Sequence, residues 1–377
     1  MELSLIRREL HRRAETAHNE YLTAAFIADK LRDIGVRDIR EGVGGHGLIA
    51  TLDSGRPGSA LLFRAELDAL PIKETLDLPY ASSHNGVSHK CGHDGHMALL
   101  LGLAHKLADR PLARGKVHLL FQPAEETGEG ASWMLEDPQM TGYTPDFIFA
   151  VHNLPGFPLH SVLLRDGVFA AGSAGLILRL TGNTAHAAHP EQGRSPAPAV
   201  ASLIDGFGNL PHKVLADGRY GLATVIHVRI GDPAFGTTPG RAVFMVTLRA
   251  WDPDDLEKLC REAVNMAEMT AGTHDLEMQH EWTEEFYPTV NDPAAVALIE
   301  KAAHKLPGNP PVRRMSDPFS WSEDFGRFTE RFPGALMGLG AGEQHAHLHD
   351  TRYDFPDELL ETGVSLLIGI IEETGLF

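Results

Sequence analysis

Three apolar runs constrain this chain most, because each of them ends in polar residues: "ALLFRAEL" (60–67), "KVHLLFQP" (116–123) and "DFIFAVHNLP" (146–155). Short apolar runs bounded by turn residues read as strands. "GLIATL" is a further strand, separated from the first run by the turn residues "DSGRPG". A helix pattern at 97–110 lies between two of the runs. Strands alternating with helices predict an α/β layer with a mostly parallel sheet. In such sheets ligands bind beyond the carboxyl ends of the strands, so the exits "FQPAEETGEGA" and "AVHNLPG" are where chemistry is expected.

Upstream, residues 3–35 read as one amphipathic helix ended by Gly35. The texture changes near residue 172. "SAGLILRLTG" alternates like a half-exposed strand, a helix follows at 196–208, then "LATVIHVRIGD", "RAVFMVTLRAWD", a helix at 253–271 and the strand "LEMQHEW". This predicts a small α+β insert over 173–284, of normal domain size. Residues 1–172 and 285–377 then build the domain that it interrupts.

A length of 377 residues suits two domains. With 33 basic against 51 acidic side chains the net charge is −18, which argues against nucleic-acid and anionic-membrane partners, since both select basic patches. Two cysteines, Cys91 and Cys260, exclude a disulfide framework. Cys260 sits in a helix pattern and reads as a small buried thiol. "MELSLIRREL" is charged from its second residue, and neither a signal peptide nor a spanning helix is expected. The expectation is a soluble cytoplasmic protein.

The strongest local cluster is Cys91-Gly-His93-Asp-Gly-His96, directly before the apolar helix. A thiolate and an imidazole two residues apart can face one borderline metal ion, with glycines letting the backbone fold around it. The plainer alternative makes both histidines polar caps of the helix. Glu125 and Glu126 adjoin at a strand exit. They are either solvated loop charges or, facing a cation, one ligand and one base. His152 ends an apolar strand, and "EQHAHLHD" places three histidines before the last helix. Each alone has a structural explanation. Together, four regions of one α/β domain supply the ligands and base that a dinuclear site needs. "GVGGHG" (42–47) formally fits a dinucleotide fingerprint, but a strand follows it where a helix is required, so it reads as a hairpin turn. No G-x-S-x-G, P-loop or H-E-x-x-H is present.

The ordered set "RAELDALPI", "CGHDGHMALLLG", "FQPAEETGEGA", "VHNLPG", "GNTAHAAHP", "SEDF" and "LHDTRYDFPDELLETG" resembles the M20 metallopeptidase family, in its aminoacylase branch of hippurate and auxin-conjugate hydrolases. The resemblance implies a metal-binding α/β catalytic domain interrupted by a ferredoxin-like dimerisation lid. It implies two divalent ions per subunit, with zinc, manganese, cobalt or nickel all compatible with the donor set, held by Cys91, His93, Glu126, His152 and His349. Glu125 becomes the general base, Asp68 orients the metal shell, and His186 reaches the partner subunit's site. The implied reaction is hydrolysis of an N-acyl amino acid or related amide, in a homodimer or a dimer of dimers. A dipeptidase or N-carbamoyl hydrolase of the same fold, and a catalytically silent amide- or metal-binding member, stand as alternatives. Three places depart from the family pattern: Glu66 stands for an aspartate, "HRRAETA" for an "HxxPE" stretch, and Gly236 for a lid asparagine that helps hold substrate.

Overall fold

The computed structural model describes residues 2–377. They form two compact units: residues 2–169, 289–318 and 323–377 in the first, 170–288 and 319–322 in the second. The chain thus leaves the first unit, builds the second and returns.

The first unit is built on an eight-stranded sheet ordered Asp38–Val43, Gly47–Asp53, Lys116–Gln122, Ala60–Glu66, Phe147–Leu154, Gly334–Gly340, Val162–Leu164 and Val312–Arg314. Its centre is parallel: Ala60–Glu66 pairs in parallel with both Lys116–Gln122 and Phe147–Leu154, which in turn pairs with Gly334–Gly340. Four of its seven strand pairings are parallel, as expected, and the antiparallel ones lie toward its edges. The "GVGGHG" segment closes an antiparallel hairpin between the first two strands, with Gly44 at φ 60° and Gly45 at φ 100°. So short a connection can join only antiparallel neighbours. Helix His93–Asp109 is apolar on nearly every side and buried along most of its length, as expected of a helix enclosed by other elements. It packs against the helices Leu3–Arg12 and Leu359–Glu373 in one continuous apolar core.

The amphipathic stretch read as one helix over 3–35 is two, Leu3–Arg12 and Tyr21–Ile34. Glu15 breaks it. Its buried carboxylate accepts the N–H groups of Leu22 and Thr23 at 3.3 and 2.9 Å and the Thr23 hydroxyl at 2.9 Å, satisfying amides that open the second helix. Gly35, at φ 100°, ends that helix in the left-handed conformation.

The second unit is a four-stranded antiparallel sheet ordered Glu277–Phe286, Gly172–Thr181, Arg241–Ala250 and Gly221–Ile230, with helices Ala197–Val214 and Pro253–Thr273 packed on it. Strand–helix–strand–strand–helix–strand with the fourth strand beside the first is the ferredoxin-like arrangement. Cys260 is half-buried on the second of these helices rather than buried. Among the described residues, no helix is long and apolar enough to cross a membrane.

Candidate metal centre

The carboxyl ends of the central parallel strands carry the chemistry. Ala60–Glu66 runs on to Asp68, Lys116–Gln122 runs through Pro123 and Ala124 to Glu125 and Glu126, and Phe147–Leu154 carries His152 near its end. Cys91 and His93 flank Gly92, where helix His93–Asp109 begins. His349 lies in the loop after Gly334–Gly340, and its N–H donates to the Lys90 carbonyl at 2.8 Å, one residue from Cys91.

These segments meet. The donor atoms of Cys91, His93 and His152 all lie within 4.8 Å of one another, as do those of Cys91, Glu126 and His349 and those of His93, Glu125 and Glu126. Six side chains from four stretches of sequence therefore form three overlapping triads. Asp68 adjoins them: its Oδ2 accepts the Glu126 N–H at 2.9 Å, and its carbonyl accepts His93 Nδ1–H at 2.9 Å. That second bond fixes the tautomer and leaves His93 Nε2 facing Glu125 and Glu126 at 3.7 and 3.9 Å. His152 Nδ1 is engaged by the Asn153 carbonyl at 2.9 Å, and its Nε2 stands 3.6 Å from Cys91 Sγ. A ligand histidine is ordinarily held in this way, by a bond to its other nitrogen.

Burial and neighbouring carboxylates dominate the electrostatics of the cluster. Burial pushes the Cys91 thiol well above its ordinary value, and Glu126 and Glu125 add to it. Burial likewise raises Glu125 well above the carboxylate range, helped by Glu323, Glu126 and Asp324. Burial lifts Glu126 to about 7 against the pull of His93. At His93 burial acts downward but is outweighed by Glu66 and the bond to Asp68, so its pKa rises to about 10. Three buried atoms here, Asp68 Oδ1, His93 Nε2 and Glu126 Oε1, have no hydrogen-bond partner, and each such atom costs about 1–3 kcal/mol. One thiol, three imidazoles and adjacent carboxylates fit borderline divalent ions.

His186 lies in the second unit, in the exposed loop after Gly172–Thr181. It bridges to Thr237 and accepts the Ala188 N–H on Nδ1 at 3.0 Å. Gly236, also exposed, is on the facing loop, where its carbonyl accepts the Ala187 N–H.

Sequence reading passed over the support behind the cluster. Arg64, fully buried, donates Nε–H to Gln122 at 2.8 Å, Nη2 to Glu323 and Asp324 at 2.8 and 2.6 Å, and Nη1 to Glu66. Glu66 in turn holds His96 Nδ1 at 2.7 Å, and His96 Nε2 meets Asn153 Oδ1 at 2.7 Å. The signal was available: an arginine inside an apolar strand with a glutamate two residues on, which the strand repeat puts on the same face. Of the glycines near the motif, Gly92 is left-handed (φ 96°) and a Cβ there would lie 2.3 Å from Asn153 Oδ1, so it does admit a close approach. Gly95 does not serve the donor cluster, since a Cβ there would meet the Phe355 ring at 2.3 Å.

The family model described as Peptidase family M20/M25/M40 matches residues 62–373. An N-acetyl-L-cysteine deacetylase of Bacillus subtilis is 33% identical over 347 residues, covering 91% of this chain and 81% of the relative. A hippurate hydrolase of Campylobacter jejuni is 30% identical over 365 residues, covering 97% and 94%. Among solved structures, a Bacillus subtilis protein described as a dinuclear metal binding peptidase of the M20 family superposes with a TM-score of 0.81 at 24% identity, over 98% of this chain and 97% of that one.

Proposed function

The chain belongs to peptidase family M20/M25/M40, and on that premise we propose that it is a metal-dependent amidohydrolase that cleaves the amide bond of N-acyl amino acids. The observation that carries this is the meeting of Cys91, His93, Glu125, Glu126, His152 and His349 at the strand ends, around buried atoms that lack partners. The relatives named as an N-acetyl-L-cysteine deacetylase and a hippurate hydrolase support the substrate class.

In this reading Cys91, His93, Glu126, His152 and His349 hold two divalent ions, among which zinc, manganese, cobalt and nickel all suit the donors. Bound divalent ions would supply Lewis acidity to a water and to the amide carbonyl. Glu125 takes a proton from the attacking water and returns it to the leaving nitrogen. Burial among other carboxylates raises its proton affinity and so suits it to be a base. Asp68 keeps His93 and the Glu126 backbone in place through its two bonds. His186, exposed on its loop, serves the active site of a partner subunit by donating to the carbonyl oxygen as charge builds there.

Residues 173–284 act as lid and dimerisation domain of a cytoplasmic homodimer in the same proposal. The edge strand Gly221–Ile230 leaves Leu222, Ile226 and Ile230 exposed, and an uncovered apolar edge is a liability that a second copy removes. Both cysteines are free thiols, which suits a reducing compartment.

The test combines metal analysis with a panel of N-acetyl-cysteine, hippurate, a dipeptide and an N-carbamoyl amino acid. The expected result is two ions per chain and turnover of the N-acyl substrates. Turnover of the dipeptide or carbamoyl compound alone would move the specificity, and bound metal without turnover of any would make the chain a binding protein. His186 is tested by mixing inactive His186→Ala with inactive Glu125→Gln subunits. A mixed dimer should regain at most about half of the native activity, because one of its two symmetric sites is intact. Exchange of subunits without recovery would place His186 outside the reaction.

A further inference from the structure

The turn that presents Glu125 and Glu126 contains an unusual backbone. Ala124 has φ 49°, a left-handed conformation that costs a residue with a Cβ roughly 1–2 kcal/mol. Alanine has no polar side chain to offset that cost locally. The turn is held from outside by bonds to its backbone. The Ala124 carbonyl accepts the N–H groups of Glu129 and Gly130 at 3.3 and 3.0 Å, and the Glu126 N–H is taken by Asp68. The Ala124 N–H is taken by a residue over a hundred positions upstream: Glu20 Oε1 accepts it at 2.8 Å.

Glu20 precedes helix Tyr21–Ile34 and its side chain is fully buried. Its other oxygen, Oε2, has no hydrogen-bond partner. Burial, then the nearby Asp68 carboxylate, push its pKa up, so the chain bears a cost to keep a carboxyl group in this position. No ion pair repays it among the described residues, and the bond to Ala124 is its one side-chain contact with the turn.

We propose that Glu20 is a positioning residue for the reaction: by accepting the Ala124 N–H it holds the left-handed turn that aims Glu125 at the substrate water and Glu126 at the ions. This rests on the roles given above to Glu125 and Glu126. Two features of Glu20 are separable. Glu20→Gln keeps an acceptor oxygen at the same reach and removes the charge. Glu20→Asp keeps the charge and draws the acceptor back by one methylene. Displacement of reacting groups by about 1 Å can cost on the order of a hundredfold in rate.

The experiment measures kcat and KM of the metal-loaded enzyme, together with backbone amide hydrogen exchange of peptides spanning residues 121–130 in both the metal-loaded and the metal-free chain. Glu20→Gln should keep kcat within about threefold of native and keep the turn protected. Glu20→Asp should lose about ten- to a hundredfold in kcat with little change in KM, and its turn should exchange faster even without metal. The reverse pattern, with Asp native-like and Gln defective, would overturn the proposal in favour of a role for the charge. Equal losses in both variants with a uniformly lowered melting temperature would overturn it in favour of general stability. Native exchange in both would overturn it outright. Exchange in the metal-free chain reports the hold on the turn even if no amide substrate is hydrolysed, so failure of the functional reading and failure of this one are distinguishable.

Discussion

Two buried polar clusters start on neighbouring residues of one helix and end differently. His93 faces the donor cluster. Asp94, the next residue, faces a knot in which Arg7 binds Asp357, Asp354 and Asp94 at 2.7, 2.8 and 3.3 Å, and His11 bridges Asp94 and Glu74 at 2.9 and 2.8 Å. Lys90 closes the knot from Glu74 to the Tyr353 carbonyl. By residue type the knot looks as able to take a metal as the donor cluster, for His11, Asp94 and Asp354 also bring donor atoms within 4.8 Å of one another. The difference is the cation. Arg7 and Lys90 supply positive charge from the chain itself, so of the carboxylate oxygens named here only Asp94 Oδ1 is left without a partner, although His89, whose ring lies against His11, has both nitrogens unpartnered. The donor cluster faces a thiol and two carboxylates with no arginine or lysine bonded to them. A buried charge is tolerated when paired; the knot is paired from within the chain, and in the function proposed above the donor cluster is paired by bound ions.

The comparison is broken most severely by swapping roles within the glutamate pair. Glu125→Gln should lower kcat by about 10²–10⁴-fold, the range for a lost general base, and keep both ions. Glu126→Gln should lower bound metal, because a neutral amide is a poor ligand. Turnover and metal content measured together decide this, and metal loss in Glu125→Gln with retention in Glu126→Gln would reverse the two roles. Next in size is the knot. Arg7→Met removes the buried cation that three carboxylates share, leaving Asp94 to His11, Asp354 to Tyr80 and Asp357 to Arg8, and should destabilise the fold by about 3 kcal/mol in urea unfolding, with metal stoichiometry unchanged in the folded protein. Loss of metal at equal folded fraction would show that the two clusters are one.

A smaller effect is the pH response of the knot. Burial acts to lower the pKa of His11, but its bonds to Asp94 and Glu74 outweigh that and raise it from 6.5 to about 9. A raised folded-state pKa means that protonated His11 contributes fully below about pH 6.5, and that the contribution is lost as the pH rises through about 9. The loss across that window is about 3 kcal/mol. Unfolding midpoints at pH 6 and pH 9.5 should therefore differ more for the native chain than for His11→Gln, and parallel curves would refute the assignment. The smallest effect is expected from the second thiol. Cys91→Ser should lower metal content, whereas half-buried Cys260→Ala should leave it unchanged and shift stability by at most about 1 kcal/mol.

What could be read from residues alone was local. The strand exits, the Cys91–His93 spacing, the Glu125–Glu126 pair and the order of strands and helices in the insert all follow from patterns a few residues long, because strand and helix periods act over that range. The tertiary structure decided whatever depends on a distant partner. A continuous amphipathic pattern became two helices, and Glu15 reaches forward to take the first amides of the second. Gly95 is required by the ring of Phe355, and the arginine in an apolar strand by carboxylates at 323 and 324. Ala124 stays left-handed next to the proposed base because Glu20, far upstream, accepts its N–H. Hydrogen bonds and ion pairs of this kind have no sequence period. They are set by which groups the fold buries together, since burial makes an unpaired charge or amide costly, and that is known only once the chain has closed around them.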